Sequence, residues 1–510
     1  MRLRSLRHAF LAASLAFVSA CQEQGAAPQL QLITTSCGGS SPLEGVTHLR
    51  LRVTGEGLSA PIERVTPVNI RPEDVPSVPP GAGRMLEVRG YTGEPTSAGK
   101  VVSVGRSGPF EMPAEGAPAE PVRVVLRRVE VFVPMEDAAR PGTCLELTEP
   151  RAGHTATLLP DGQVLLAGGF RLAGAGGIET LSSVELIDPM ARTQTFVQDV
   201  GLGGARRAFH TASLTLDGRV ALIGGEVQSA TAATPLRSVA VFNPATRDVQ
   251  QFNLAEPRTR HAAAVDIAGR VLLVGGTGQG GAVLATPEGV EPAAGKSFPV
   301  PTPLPRVGVS VAVLPDSQRL VVAGGSDGAR LVREVQVFAF NGTTFAPTVA
   351  GLQLRQGRQS GALAPYEVEG KLLVLGGYNT AGVPEPTSRP IALTEILDFT
   401  GETPSVAVGP NTVARAAICA QSLGDGRVLA VGGQSPGAGR LVSTGIVELI
   451  TPTPNPTGGV LGKEPVTPRY LHTCTVLPDG SVLVTGGLDS SAEPARIASG
   501  PLVFMPIPRD

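Results

Sequence analysis

The sequence predicts an all-β protein built from repeats, and three observations carry this prediction. A pair of glycines closes a hydrophobic run seven times, and each pair lies 17 or 18 residues after an arginine. Successive pairs are 49 to 56 residues apart, a period typical of propellers and other repeat arrays. The 64 glycines and 46 prolines, together with only 17% charged residues, favour many short strands joined by turns over long helices.

Each repeat resolves into four predicted strands. The first strand follows the arginine, and a tight turn comes next, with the Asp-Gly pairs that two-residue hairpins favour at 161–162, 217–218, 425–426 and 479–480. The second strand is the apolar run into the glycine pair, and its unbroken hydrophobicity is typical of a strand buried on both faces. A third strand follows in most repeats. The fourth is marked in four repeats by Phe196, Phe252, Phe298 and Phe345.

This layout resembles the kelch repeat, which has a turn between its first strands, a double glycine after the second and an aromatic residue in the fourth. The resemblance covers residues 151–510 and implies a seven-bladed kelch-type β-propeller over 136–510, with one four-stranded blade per repeat. The chain departs from the family in having no tryptophan. The last repeat stops after its third strand, so residues 143–147 are expected to supply its fourth strand and to close the ring.

The N-terminus predicts export and a lipid anchor. Basic residues precede a short apolar run, and Val-Ser-Ala-Cys at 18–21 resembles the lipobox of bacterial lipoproteins. The resemblance implies a signal peptide over 1–20, diacylation of Cys21 and a tether over 21–31. Gln22 after the cysteine favours the outer membrane. The expected location is the bacterial cell envelope, on the periplasmic face or the cell surface, with membrane contact through this anchor only.

Residues 32–135 predict a separate β unit between the tether and the repeats. Segments 47–54 and 85–91 alternate with period two, and Pro- and Gly-rich connections separate the strand candidates. We expect a small antiparallel β-sandwich of the immunoglobulin or fibronectin sort.

Export would place the remaining cysteines, Cys37, Cys144, Cys419 and Cys474, in an oxidising compartment, where disulfides form. Four cysteines allow three pairings, and the sequence does not choose among them. Cys419 and Cys474 hold nearly equivalent positions in neighbouring repeats, which favours that pair and leaves Cys37 with Cys144.

Strand order places the repeat arginines and the most variable loops on one face. The loops are 170–181, 226–236, 378–393 and 488–499, and Tyr378 and Asn379 are candidate ligand contacts within them. The arginines form either a cationic ring for an acidic ligand or a structural bond repeated in every blade. The structural interpretation is favoured, because function in repeat proteins usually lies where the repeats differ. The seven are Arg151, Arg207, Arg258, Arg306, Arg358, Arg415 and Arg469.

Four histidines, His154, His210, His261 and His472, follow their arginines by three residues. One interpretation is a metal-binding ring. Radial symmetry separates these positions by a whole blade, so core histidines are expected instead, and no metal site is predicted.

Function is the least determined property. The net charge of −2 gives no electrostatic footprint for nucleic acid, which is not expected as a partner. Galactose oxidase and its relatives use a kelch-type propeller with a copper centre, but that family's Tyr-His dipeptide is missing here. No nucleophile elbow, phosphate loop or zinc-binding helix is present.

The sequence therefore predicts no enzyme, no catalytic residue and no cofactor. The predicted function is a non-catalytic binding or scaffold module at the cell envelope, with a protein or a glycan as its ligand. A carbohydrate-directed enzyme of the galactose-oxidase or sialic-acid mutarotase type is the alternative.

Overall fold

In the computed structural model the chain consists almost entirely of strands and turns. The structure describes residues 26–95, 99–114, 120–174, 177–197, 206–229, 232–314, 318–349, 351–367, 370–382, 387–437, 439–451, 457–460 and 466–509. The predicted signal peptide, Cys21 and the start of the tether lie outside these residues. Within them, no helix is long and apolar enough to cross a membrane. The helices described are single 3-10 turns at Pro72–Asp74, Gln279–Gly281 and Pro292–Ala294.

In the described part of the chain, seven antiparallel sheets of four strands follow one another. Sheets 1 to 3 consist of Thr155–Leu158, Val164–Ala167, Val184–Asp188 and Thr193–Val197; of Thr211–Leu214, Val220–Ile223, Ser238–Phe242 and Val249–Asn253; and of Ala262–Val265, Val271–Val274, Glu288–Glu291 and Lys296–Pro299. Sheets 4 and 5 consist of Val307–Val313, Arg319–Ser326, Gln336–Phe340 and Phe345–Val349; and of Ala362–Pro365, Lys371–Leu375, Glu395–Asp398 and Ser405–Val408. Sheets 6 and 7 consist of Cys419–Ser422, Val428–Val431, Val447–Thr451 and Thr457–Val460; and of Thr473–Val476, Val482–Thr485, Leu502–Phe504 and Phe132–Pro134.

The seven sheets form a closed ring. The first strands of consecutive sheets contact one another in chain order, and the first strand of sheet 7 contacts that of sheet 1. The second strands are buried, and every residue of Val164–Ala167 is at most 1% exposed. This burial arises because each sheet packs against a neighbour on both faces, as the unbroken hydrophobic runs predict.

Sheet 7 is completed from the N-terminal side of the repeats. Its fourth strand is Phe132–Pro134, which pairs antiparallel with Leu502–Phe504. The prediction that residues 143–147 form this strand is wrong. Leu145 and Leu147 pack instead into the apolar core between sheets 7 and 1, so their segment seals the last contact of the ring.

In each repeat, the arginine and the glycine pair form hydrogen bonds that link neighbouring sheets. In sheet 1, Arg151 Nη1 donates a hydrogen bond to the Gly168 carbonyl at 2.8 Å. The amide of the second glycine, Gly169, donates to the main-chain carbonyl of Arg207 in sheet 2 at 2.9 Å. The same bond recurs around the ring, and Gly487 donates to Arg151 at 2.9 Å. A Cβ on Gly168, whose φ is +58°, would lie 2.3 Å from the Arg207 carbonyl oxygen, so this close approach requires glycine.

Short hairpins extend the loops between second and third strands on one face of the ring. They pair Phe170–Leu172 with Ile178–Thr180, Glu226–Gln228 with Ala233–Pro235, Gln434–Pro436 with Leu441–Ser443, and Leu488–Asp489 with Arg496–Ile497. Three of them fall in loops that the sequence analysis identified as long and variable.

The N-terminal unit combines an antiparallel sheet with one parallel strand pair. The sheet follows the order Ile62–Pro67, His48–Thr54, Gly81–Tyr91, Val101–Arg106 and Arg127–Arg128, and Phe110–Met112 also pairs with its central strand. Leu30–Ile33 runs parallel to Val122–Val125. Both layers share one apolar core. A buried salt bridge from Arg127 Nη1 to Asp479 Oδ2, at 2.7 Å, joins this unit to sheet 7.

Candidate functional site

The residue two positions after each repeat arginine adopts a left-handed backbone conformation, with φ between 50° and 64°. L-amino acids other than glycine lose about 1–2 kcal/mol in this conformation, and five of the seven are not glycine. Strained backbone conformations of this kind cluster at functional sites. We call these residues the mouth ring: Gly153, Phe209, Arg260, Gly308, Ser360, Ala417 and Leu471.

Backbone hydrogen bonds connect successive members of the mouth ring. The Gly153 amide donates to the Leu471 carbonyl at 2.9 Å, and the Phe209 amide donates to the Gly153 carbonyl at 2.9 Å. The same bond joins Arg260 to Phe209, Ser360 to Gly308 and Ala417 to Ser360. Because the backbone holds the ring, its side chains are free to differ from sheet to sheet.

A cavity of about 490 Å³ lies at the mouth ring. All five non-glycine side chains of the ring line it. The remaining lining residues are Phe170, Ile178, Tyr378, Gln434, Leu441, Tyr470 and Leu488. Aromatic and aliphatic side chains with a few converging polar groups are the usual composition of a small-molecule site.

Arg260 supplies a positive charge to the lining of this cavity. Its guanidinium carbon lies 3.7 Å from the centre of the Phe209 ring, a cation–π contact. Its Nη2 lies 3.0 Å from Oε1 of Glu226, which is 2% exposed and also accepts a bond from Gln228. The bond to Glu226 uses one of the five guanidinium N–H donors. Arg260 is therefore held in place while its side chain stays 47% exposed to a ligand.

Two tyrosines supply phenolic hydroxyl groups to the cavity lining. Tyr378 donates to Gln434 Oε1 at 2.8 Å. Burial, with a smaller contribution from Tyr470, raises the pKa of Tyr378 above its usual value. Burial also raises the pKa of Tyr470, and Arg260 opposes that shift. Both hydroxyls therefore stay protonated near neutral pH. In the described part of the chain, the Tyr470 hydroxyl makes no hydrogen bond, so it can donate to a ligand.

The repeat arginines do not face this cavity. Each is at most 2% exposed, and its guanidinium bonds to carbonyls of its own sheet, often with a buried glutamate from the third strand. A ligand cannot reach them, so the ligand-binding assignment is corrected for Arg151, Arg207, Arg258, Arg306, Arg358, Arg415 and Arg469. The structural interpretation accounts for their recurrence.

The variable-loop prediction placed one of two residues at the cavity. Tyr378 lines it, whereas Asn379 is exposed in the adjoining loop, where its side chain accepts a bond from the Arg389 amide at 3.1 Å. Sequence reasoning missed the mouth ring. Its signal was available, because the second residue after an invariant arginine changes among glycine, phenylalanine, arginine, serine, alanine and leucine.

Three of the repeat histidines join neighbouring sheets. Nε2 of His154, His210 and His261 lies 3.1, 2.9 and 2.9 Å from the hydroxyls of Thr473, Thr155 and Thr211 in the preceding sheet. Burial lowers the pKa of His261 to about 3, and Arg258 adds to the shift. These histidines are neutral core residues.

The four cysteines within the described ranges form two disulfides. Cys37 pairs with Cys144, and Cys419 in sheet 6 pairs with Cys474 in sheet 7. The first connects the N-terminal unit to the segment that seals the ring.

No model of a protein family matches this chain, and no curated protein matches it in sequence. Solved structures do match its fold. One is entitled a novel fungal alcohol oxidase with catalytic diversity among the AA5 family, in complex with copper; it is 18% identical with a TM-score of 0.52, over 71% of this chain and 75% of that one. The structure of YjhT is 14% identical with a TM-score of 0.45, over 62% of this chain and 99% of that one. The likeness to the oxidase shows that this all-β chain has a galactose-oxidase-like propeller fold.

The prediction that the chain is not an enzyme is wrong. A solved propeller whose fold matches 71% of this chain is an alcohol oxidase, and the mouth ring surrounds a cavity of about 490 Å³. At 18% identity the likeness shows the fold alone, so the reaction has to be argued from the residues of this cavity.

Those residues do not fit a copper centre. Copper in proteins prefers imidazole and thiolate ligands, and in the described ranges neither a histidine nor a cysteine lines the cavity. Tyr378 and Tyr470 offer only hydroxyl oxygens, and the first of these is engaged by Gln434. We therefore derive no step that involves copper.

Proposed function

We propose that this chain is a seven-bladed kelch-type propeller enzyme that acts on a carbohydrate at the mouth-ring cavity. One observation carries the proposal: five non-glycine side chains are held in a strained left-handed conformation around one cavity, in a scaffold whose other repeat positions are structural. Strain of this kind persists only where the surrounding structure imposes it, and it concentrates at functional sites.

The lining supports a sugar as substrate. Phe209, Leu471 and Leu488 are partly exposed and offer apolar surface for the C–H face of a sugar ring. Gln434, Ser360 and Tyr470 offer hydrogen-bonding groups for its hydroxyls. Arg260 would hold an anionic or strongly polar substituent. The aromatic and cationic groups sit on rigid strands and tight turns, so little ordering is needed when the substrate binds.

The reaction favoured by these groups is proton transfer at the anomeric centre, as in an isomerase. Ring opening needs a proton on the ring oxygen while the anomeric hydroxyl loses one. Tyr470 has an uncommitted hydroxyl that would donate to the ring oxygen. The anomeric proton would leave to a water in the cavity, and the sugar would close again on its other face. The net result exchanges anomers without an oxidant.

The test is anomer exchange measured by NMR on a panel of neutral and carboxylate-bearing sugars. Tyr470→Phe is expected to lower kcat by about 100-fold or more, as loss of a general acid does, with little change in KM. Arg260→Ala is expected mainly to raise KM. Asn379→Ala, which changes an exposed side chain outside the cavity, is the matched control and should behave as the wild type. Equal exchange rates for the wild type and Tyr470→Phe would refute the proposed role.

We also propose that the enzyme is exported and anchored through a lipid on Cys21. The lipobox-like residues before this cysteine support the proposal. Cys21→Ser is expected to move the protein from the membrane fraction to the soluble fraction and to abolish incorporation of labelled palmitate, while sugar turnover stays unchanged. Unaltered membrane association in this variant would rule out the anchor.

A further inference from the structure

One of the four repeat histidines lacks the threonine contact that the other three make. The position that holds Thr155, Thr211 and Thr473 in other sheets is Cys419 in sheet 6. Its neighbour across the sheet boundary is His472, and in the described part of the chain no hydroxyl lies within hydrogen-bond distance of either ring nitrogen of this histidine. His472 is 8% exposed. This buried imidazole therefore faces a thiol-bearing residue where its three counterparts face a hydroxyl.

A second cysteine completes a cluster at this point. Cys474 lies two residues after His472, in the strand Thr473–Val476 that begins directly after this histidine, and it is also 8% exposed. One donor atom from each of Cys419, His472 and Cys474 lies within 4.8 Å of the others. The cluster lies at the boundary of sheets 6 and 7, and none of its three residues lines the mouth-ring cavity.

We propose that Cys419, His472 and Cys474 form a three-coordinate site for Cu(I). Two thiolates and an imidazole are soft ligands that select Cu(I) or Zn(II). Structural zinc sites take four ligands, whereas the surroundings here are apolar. Leu423, Val431 and Val482 belong to the core that packs around the cysteines. Three donors inside an apolar shell match the low coordination number of Cu(I).

The charge of the site is also compensated. Cu(I) with two thiolates and a neutral imidazole carries one net negative charge, which is unfavourable in an apolar core unless a cation lies near. Arg469 is in the same repeat as His472, and among the described residues it makes no salt bridge. Its guanidinium is buried and acts electrostatically on His472, so its positive charge would partly offset that of the loaded site.

The disulfide and the metal site are alternative states of one cysteine pair. Loading requires the dithiol, which forms when a thiol or phosphine reductant delivers two electrons and the S–S bond takes up two protons. Cu(I) then binds both sulfurs and displaces the two thiol protons. A disulfide oxidant that accepts two electrons and the two thiol protons closes the S–S bond of the metal-free pair again, so copper and the S–S bond exclude each other.

The test is an anaerobic titration of the reduced full-length chain with Cu(I) against the chromophoric chelator bathocuproine disulfonate. The matched variant is Cys419→Thr, which recreates the threonine–histidine contact of the other sheets and should therefore fold. We expect the wild type to retain one more Cu(I) per chain than this variant. The Cys37–Cys144 pair is present in both proteins, so the difference reports the proposed site alone.

X-ray absorption at the copper edge identifies the ligands. Two sulfurs and one nitrogen are expected in the wild type, and the nitrogen should disappear in His472→Asn. Equal copper retention by the wild type and Cys419→Thr would overturn the proposal. So would a copper shell without nitrogen in the wild type. Preferential retention of Zn(II) in a four-ligand shell would overturn the assignment to Cu(I).

Discussion

Replacing Arg358 with alanine is expected to lower the free energy of unfolding by about 3–5 kcal/mol, the usual cost of removing one partner of a buried ion pair. Its Nη2 lies 2.8 Å from Glu395 Oε1, and both side chains are at most 2% exposed. Its Nη1 donates to the Gly376 and Leu393 carbonyls at 3.0 and 2.9 Å. The substitution leaves a buried carboxylate without its cation and two carbonyls without this donor. Urea unfolding at pH 7 measures the change.

Arg440→Ala is the matched control, because its ion pair with Glu493 is exposed: the two side chains are 46% and 78% exposed. Its loss should change stability by about 1 kcal/mol or less. The double replacement Arg358→Met with Glu395→Leu should recover part of the loss, since no charge is left unpaired. It does not restore the two carbonyl bonds. A cost for Arg358→Ala no larger than that for Arg440→Ala would show that the repeat arginines are not structural.

The hydrogen bonds between the repeat arginines and the glycine pairs explain why the fold could be predicted from the sequence. Arg151 bonds to the first glycine of its own repeat, and the second glycine bonds to the arginine of the next sheet. Every repeat needs these hydrogen bonds to link it to its neighbour. The same residues therefore recur at the same spacing, and this period identifies the repeats that form the ring. The closing strand had no such signal. Phe132–Pro134 is three residues long and carries no arginine or glycine pair. Residues 143–147 were favoured instead because they lie just before the first repeat arginine, where a fourth strand belongs.

Only part of the candidate site could be predicted from the sequence. Tyr378 was found because it lies in a long variable loop. The mouth ring was missed because its residues share a backbone conformation and not a side-chain type. A sequence shows side chains, whereas the φ of Phe209, Arg260 or Ala417 depends on hydrogen bonds between sheets. The variation at this position is visible in the sequence, but its significance became clear only when these bonds placed the different residues around one cavity.

Acidification below pH 6.5 is expected to destabilise the metal-free folded chain by up to about 1.4 kcal/mol per pH unit for each of four buried histidines. Burial, assisted by the arginine of each repeat, lowers the pKa of His261 and His472 to about 3 and that of His154 and His210 well below 6.5. An unfolded histidine takes up a proton near pH 6.5, whereas the folded one does not. The contribution of these neutral histidines to the free energy of unfolding is therefore complete above pH 6.5 and is lost as the pH falls toward about 3.

The histidine effect can be separated from that of the carboxylates. A paired carboxylate such as Asp217, whose pKa is lowered to about 2 by bonds from Arg219 and Thr215, loses its contribution only below about pH 4. Between pH 6.5 and 5, each histidine should account for about 2 kcal/mol. His261→Gln removes one titrating group while an amide remains near Thr211, so the slope of the unfolding free energy against pH should fall by about a quarter over this range. An unchanged slope would mean that His261 is protonated in the folded chain. This result would contradict a hydrogen bond between neutral His261 and Thr211 at the boundary of sheets 2 and 3.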